Sequence, residues 1–171
     1  LITRMEGVVR SCRLLSDAEA IATAFRAGVS MARSIDVSVA WTAPCDELRA
    51  LCRFAKAGGA LRVLVGRDFD STDPRALRSL FETSPNGLKW GWRPPTGIYH
   101  PKMYVFRSDD RVVAIIGSAN LTRGGFLFNV ETGVEIDGRP DLLADVTTLF
   151  EERWAAGDEI DAQAIASYAV R

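Results

Sequence analysis

One histidine and three cysteines are all the imidazole and thiol ligands that 171 residues offer a metal ion, and the cysteines include no Cys-x-x-Cys pair. A structural zinc site of four nitrogen and sulfur ligands is therefore not expected. Cys12, Cys45 and Cys52 are too few for a disulfide framework. Cys45 and Cys52 fall seven apart on an expected helix, where small buried apolar side chains are the simpler reading. No apolar run approaches the roughly 20 residues that cross a bilayer. The most apolar stretch around the lone histidine, 111–118, has strand length. Residues 1–10 carry charges and no long apolar core, so no secretory leader is read there. Reduced thiols and a missing leader point to the cytoplasm. The chain opens on Leu1 instead of methionine, as a piece of a longer protein or a start added before Met5 would.

Charge of one sign is also missing, because the net charge is −1. Its distribution is uneven. Residues 1–85 sum to +2, residues 86–125 to +4 and residues 126–171 to −7. A local basic patch matters more than the total, since charges are screened beyond about 8–10 Å. What is present is a globular composition, 47% hydrophobic and 25% charged. At this length the chain is read as a single domain, residues 1–171, with one core.

Val8 to Leu15 alternates as a short edge strand does. Ser16 and Asp17 are candidate N-caps for a helix over 18–32 whose apolar residues keep helical spacing. Ile35 to Trp41 reads as a strand. A second helix runs from Asp46 to Ala57 and stops at Gly58-Gly59. Leu61 to Gly66 is a strand, Asp73-Pro74 opens a helix over 74–83, and Leu88 to Trp92 is another short strand. Lys102–Phe106 and Arg111–Ile116 form a hairpin around Ser108-Asp109-Asp110. Val130 to Ile136 is the last expected strand and 141–155 the last expected helix, followed by an acidic tail. Early β-α-β-α units and a later hairpin predict an α/β fold with a mixed β-sheet flanked by helices.

The chemistry gathers between Ile98 and Ile136. His100 and Lys102 are two apart at a strand start, hence on one face, and Pro101 between them fits a strand start or an edge. Ser118 and Asn120, also two apart, follow a strand able to pair with the first. The hairpin can so bring imidazole, ammonium, hydroxyl and amide to one side of the sheet. Such a set suits a phosphodiester: cations and donors neutralise the non-bridging oxygens, and a neutral imidazole is a nucleophile near neutral pH. Each part alone has a plainer reading. A lone histidine or lysine is commonly a surface residue, Gly117-Ser118-Ala119-Asn120 a strand-ending turn, and Glu131 by itself says almost nothing. The combination carries the weight.

This stretch resembles the phospholipase D superfamily, whose signature is His-x-Lys-x4-Asp, then Gly-Ser-x-Asn and a later Glu or Gln. The match runs through His100, Lys102, Gly117, Ser118, Asn120 and Glu131, and covers 98–136 firmly and the preceding α/β pattern loosely. The resemblance implies that His100 forms a phosphohistidine, that Lys102, Ser118 and Asn120 bind the phosphate, and that Glu131 orients an imidazole, its own or a partner subunit's. It implies no cofactor and no metal. That mechanism takes two histidines, one to attack and one to protonate the leaving group, and this chain has one. Two chains are then expected to meet across a two-fold axis, as in the homodimeric single-motif nucleases of the family, metal-independent restriction endonucleases among them. Arg107 stands where the signature has its aspartate.

The expected activity is a metal-independent nuclease acting on nucleic acid, DNA ahead of RNA, as the catalytic module of a restriction or defence system. Trp90, Trp92 and Tyr99 are candidate stacking surfaces, and Arg93, Arg107, Arg111 and Arg123 candidate backbone contacts. The alternatives are a non-catalytic nucleic-acid-binding or dimerisation module of a larger defence or helicase system, and a phospholipid hydrolase. The last would want an amphipathic membrane-binding helix, and none is found.

Overall fold

In a computed structural model that describes residues 9–169, all of the expected strands join one sheet. They are β1 (Val9–Leu15), β2 (Ser34–Val39), β3 (Ala60–Val65), β4 (Leu88–Trp90), β5 (Lys102–Arg107), β6 (Val112–Gly117) and β7 (Gly133–Gly138). A two-residue β8 (Asp158–Glu159) completes the order β1-β7-β6-β5-β2-β3-β4-β8. β2, β3 and β4 run parallel, and the other neighbours pair antiparallel. Val8, the first residue of the expected edge strand, lies outside the described residues. The architecture is α/β with a mixed sheet flanked by helices.

Alternation along the strands sorts side chains into two cores. One face carries Ile35, Val37, Val39, Tyr104, Phe106, Val113 and Ile115. Against it lie α1 (Ala18–Met31), α2 (Asp46–Lys56), α3 (Pro74–Thr83) and α5 (Ala162–Ala169). The other face carries Leu64, Met103, Val105, Val112 and Ala114, and α4 (Ala144–Ala156) covers it with Phe150 and Trp154. Asp17 caps α1 by accepting from the Ala20 amide at 2.8 Å. Asp73 caps α3, with Pro74 in its first turn. The side chain at the α2 N-cap is Cys45, whose sulfur accepts from the Leu48 amide. Burial pushes that thiol up to about 11, which suits packing and not attack.

Phe25 of α1 meets Tyr104, Phe106 and Phe126 edge-on, at centroid distances of 5.5, 5.4 and 5.2 Å. Such pairs add to the burial each ring contributes. They tie α1 to β5 and to the one-turn π-helix Gly124–Phe128, which no signal in the sequence had marked. Two expectations shift. β7 starts at Gly133 and not at Val130, because hydrogen bonds of Glu131 and Thr132 to Ser118 hold 129–132 as a loop. The acidic tail is structured: Ile160, Ile165 and Tyr168 are buried, and Tyr168 packs 5.2 Å from Trp90 and accepts from the Thr72 amide. Its acidic residues face solvent and its few apolar ones close the core, a pattern that net charge conceals.

Candidate active site

Four adjacent strands, β2, β5, β6 and β7, open on the same edge of the sheet. β2 and β6 reach it with their carboxyl ends, β5 and β7 with their amino ends, as the registers Val39↔Lys102, Met103↔Ile116 and Gly117↔Gly133 require. The edge is closed from both sides. Thr42 bridges Leu121, the Ala43 amide donates to the Leu121 carbonyl at 3.0 Å, and the Trp41 amide donates to Asn120 Oδ1 at 3.2 Å. From below, the buried Tyr104 hydroxyl donates to the Ala119 carbonyl at 2.9 Å. Gly117 is needed where it stands, because a Cβ there would lie 2.5 Å from the Thr132 carbonyl oxygen and 2.7 Å from the Gly133 Cα.

Into this edge opens a cleft of about 470 Å³ lined by Trp41, His100, Lys102, Ser118, Asn120, Asn129 and Glu131. All five side chains singled out from the sequence are brought together there. His100 is exposed, whereas Lys102 is 8% exposed. The Lys102 ammonium lies 2.9 Å from each ring nitrogen of His100 and donates to the His100 carbonyl oxygen at 3.2 Å, which sets a positive charge against the ring. Partial burial, and then the Lys102 charge, hold the imidazole below the ordinary histidine range. Burial likewise lowers Lys102, while Glu131 pulls it the other way. The Trp41 ring packs edge-on to His100, centroids 5.2 Å apart, and lies 5.5 Å from the Lys102 ammonium. An imidazole of lowered basicity and a cation therefore share one wall.

The opposite wall is acidic. Glu131, 6% exposed, accepts from the Ser118 hydroxyl and from Asn129 Nδ2, the latter at 3.0 Å. Its partners are thus Ser118 and Asn129, and its carboxylate makes no hydrogen bond to His100 of its own chain. Asn120 spends its carbonyl oxygen on the Trp41 amide, which leaves the amide nitrogen to face the cleft. Sequence reasoning missed two lining residues. Trp41 stands just past the carboxyl end of a parallel strand, the usual place for ligand contacts in α/β sheets, and that rule would have found it. Asn129 had no local signal. Among the described residues, no group of three or more His, Cys, Asp or Glu side chains is arranged to hold a metal ion. No helix among them is long and apolar enough to cross a membrane.

Several expected contacts lie elsewhere. Arg107 is an odd five residues from Lys102, hence on the opposite face of β5, and it sits at the far end of the strand. There it joins Arg62 in pairing with Asp36, which is 1% exposed. The departure from the signature therefore stands away from the cleft. Arg111 is bound to Asp137 at 2.9 Å and Arg93 to Asp68 at 2.8 Å. Arg123 lies over the Phe128 ring, 5.2 Å from its centroid, and is the one expected backbone contact without a carboxylate partner among the described residues. Of the candidate stacking rings, Trp90 and Tyr99 are core residues at 4% and 6% exposure, and Trp92 is open at 58%.

Comparison with known proteins agrees with this fold. A family model described as "Cardiolipin synthase, PLD-like domain" matches residues 29–154. The fold is similar to that of Nuc from Salmonella typhimurium, a phospholipase D family member: 21% identity, 89% of this chain and 99% of that one covered, TM-score 0.68. It is similar also to NucT from Helicobacter pylori, at 19% identity, coverage of 88% and 98%, and a TM-score of 0.69. Phosphatidylserine synthase from Haemophilus influenzae matches at 16% identity and a TM-score of 0.65, with 95% of this chain and 44% of that one covered. No curated protein sequence matches the chain. With the family model spanning most of its length and the sheet superimposing on a phospholipase D family member, the chain belongs to the phospholipase D superfamily.

Proposed function

We propose that this protein is a metal-independent phosphodiesterase that hydrolyses nucleic-acid phosphodiester bonds through a phosphohistidine, in a site that a second copy of the chain completes. The observation that carries the reading is the pairing of the exposed His100 ring, depressed in basicity, with the Lys102 ammonium at 2.9 Å, across a cleft from Ser118, Asn120 and Glu131. A phosphate entering the cleft would draw the ammonium onto its non-bridging oxygen, while an unprotonated ring nitrogen keeps its lone pair for the attack. The Ser118 hydroxyl and Asn120 amide supply further donors to the same oxygens. As the P–N bond forms, the bond from phosphorus to the leaving oxygen breaks, and that oxygen takes a proton from the imidazolium of the partner subunit's His100. The same imidazole, now neutral, takes a proton from water, whose oxygen displaces His100 from phosphorus.

The requirement for a partner follows from a chain with one histidine and a mechanism with two imidazole roles. Nucleic acid is favoured as substrate by the Arg123–Phe128 pair, which directly precedes Asn129 of the cleft, since a ring beside a cation suits a base beside a phosphate. Three free thiols fit a reducing cytoplasm, and a restriction or defence role fits a homodimeric nuclease of this type.

The test is cleavage of a labelled DNA or RNA oligonucleotide in EDTA. The wild-type protein is expected to cut and to yield an acid-labile phosphoenzyme on quenching, and His100→Ala to do neither. Activity that needs Mg²⁺ and survives His100→Ala would overturn the mechanism. Binding without cleavage by the wild-type protein would favour a non-catalytic module.

A further inference from the structure

We infer that the nucleic-acid strand leaves the His100 cleft along a cationic channel on the helical face, formed by Arg123, Arg26, Arg49, Arg53 and Lys56. The inference rests on the nucleic-acid reading above and adds where the strand lies. Two hollows make the channel. The first, of about 530 Å³, is lined by Arg26 of α1, Arg49 of α2, and Arg123 and Leu127 from the turn after Asn120. The second, of about 410 Å³, is lined by Arg49, Arg53 and Lys56 of α2 and by residues of α3. They share Pro44 and Arg49, so they adjoin. The near end adjoins the catalytic cleft: Arg123 is three residues past Asn120, and Leu127 is two before Asn129.

Charge and spacing fit a phosphodiester backbone. Arg49, Arg53 and Lys56 occupy positions i, i+4 and i+7 of α2 and form one stripe. That stripe spans about 10 Å of helix axis, long enough to follow a strand past more than one phosphate. Five cations line the two hollows against three carboxylates, Asp46, Glu47 and Glu82. Arg49 is engaged with Asp46 in an exposed pair, the kind that contributes little and is readily exchanged. Arg26 bonds only the Thr23 hydroxyl, Arg123 rests on Phe128, and Arg53 and Lys56 have no ion pair among the described residues. Arg13, Arg62, Arg107 and Arg111, by contrast, are spent on carboxylates. The Arg123–Phe128 pair at the near end offers a flat surface for a base next to the scissile phosphate. A lipid surface is the weaker fit, because the stripe on α2 carries no apolar side chain to insert.

The test reads binding alone, so that it stands apart from the proposed hydrolysis. In the His100→Ala background, a fluorescein-labelled single-stranded 20-mer is titrated by anisotropy between 50 and 200 mM salt. Adding Arg53→Ala and Lys56→Ala is expected to weaken binding on the order of tenfold at 0.1 M salt and to flatten the plot of log K against log salt by about 1.4. Removing two paired cations elsewhere, Arg33→Ala with Arg139→Ala, is expected to leave the slope unchanged. An unchanged slope in the Arg53/Lys56 variant, or an equal change in the Arg33/Arg139 one, would overturn the channel. So would displacement of the 20-mer by phosphatidylglycerol vesicles in preference to unlabelled oligonucleotide. If the protein binds no 20-mer, the channel is wrong, while His100-dependent turnover of a small aryl phosphodiester would still uphold the hydrolase.

Discussion

Lys102→Met probes the coupling on which the proposed chemistry depends, through a reporter that needs no assignment because the chain has one histidine. In the folded protein the ammonium stands 2.9 Å from both ring nitrogens of His100. Its charge repels the proton that would make the imidazole a cation, which favours the neutral ring. A unit charge at that distance costs an imidazolium about 1.4 kcal/mol even at the dielectric of water, and several times more at an effective value near 20. Because His100 is exposed, the lower figure applies. Replacing Lys102 with the similarly shaped, uncharged methionine should therefore raise the His100 pKa toward the ordinary histidine value, read from the pH dependence of its single Cε1–H resonance. The same change should narrow a stability window. With the folded value below the unfolded one, the unfolded chain binds more protons between the two, so stability is full above the ordinary histidine value and is lost as pH falls through the folded value. A His100 pKa that stays put or falls in Lys102→Met would refute the coupling and remove the basis for a neutral nucleophile poised by this lysine.

Two further substitutions separate the site from its support. Arg107→Asp, which restores the signature residue, is expected to lower stability by about 3 kcal/mol at neutral pH, because it sets a second carboxylate beside the buried Asp36 and leaves Arg62 to serve both. Urea denaturation should show the loss; unchanged stability, or a gain in the proposed phosphodiesterase activity, would contradict the view that position 107 supports the fold at a distance from the cleft. Tyr104→Phe removes the bond to the Ala119 carbonyl and leaves that buried acceptor unpaired. It is expected to cost about 1–3 kcal/mol in urea denaturation, and a loss below about 0.5 kcal/mol would mean that the Gly117–Asn120 turn does not depend on β5 for its position.

What was legible in the sequence is what short-range geometry determines. His100 and Lys102 at alternate strand positions, the Gly-Ser-x-Asn turn after β6, the hairpin between them and the Asp73-Pro74 helix start all follow from residues within a few positions of one another. What was not legible depends on strands that meet from far apart. Trp41 and Asn129 enter the cleft because Thr42 of the β2–α2 connection bridges Leu121 and because Glu131 reaches back to Ser118. The first contact joins residues 79 apart, and the second crosses 13 residues through a loop without regular spacing. Charge shows the same limit more sharply. The +4 segment drew attention to Arg107 and Arg111, yet β5 and β6 carry those two to the far end of the hairpin and spend them on Asp36 and Asp137. Arg49, Arg53 and Lys56 were averaged into a nearly neutral first half, yet α2 starts at the site edge and lays them in a row away from it. Charge summed along the chain mixes the two ends of every strand, and a phosphate meets only one of them. In a fold whose active edge is built from the carboxyl ends of some strands and the amino ends of others, the meaningful count is of charges on that edge, and strand direction is what assigns them.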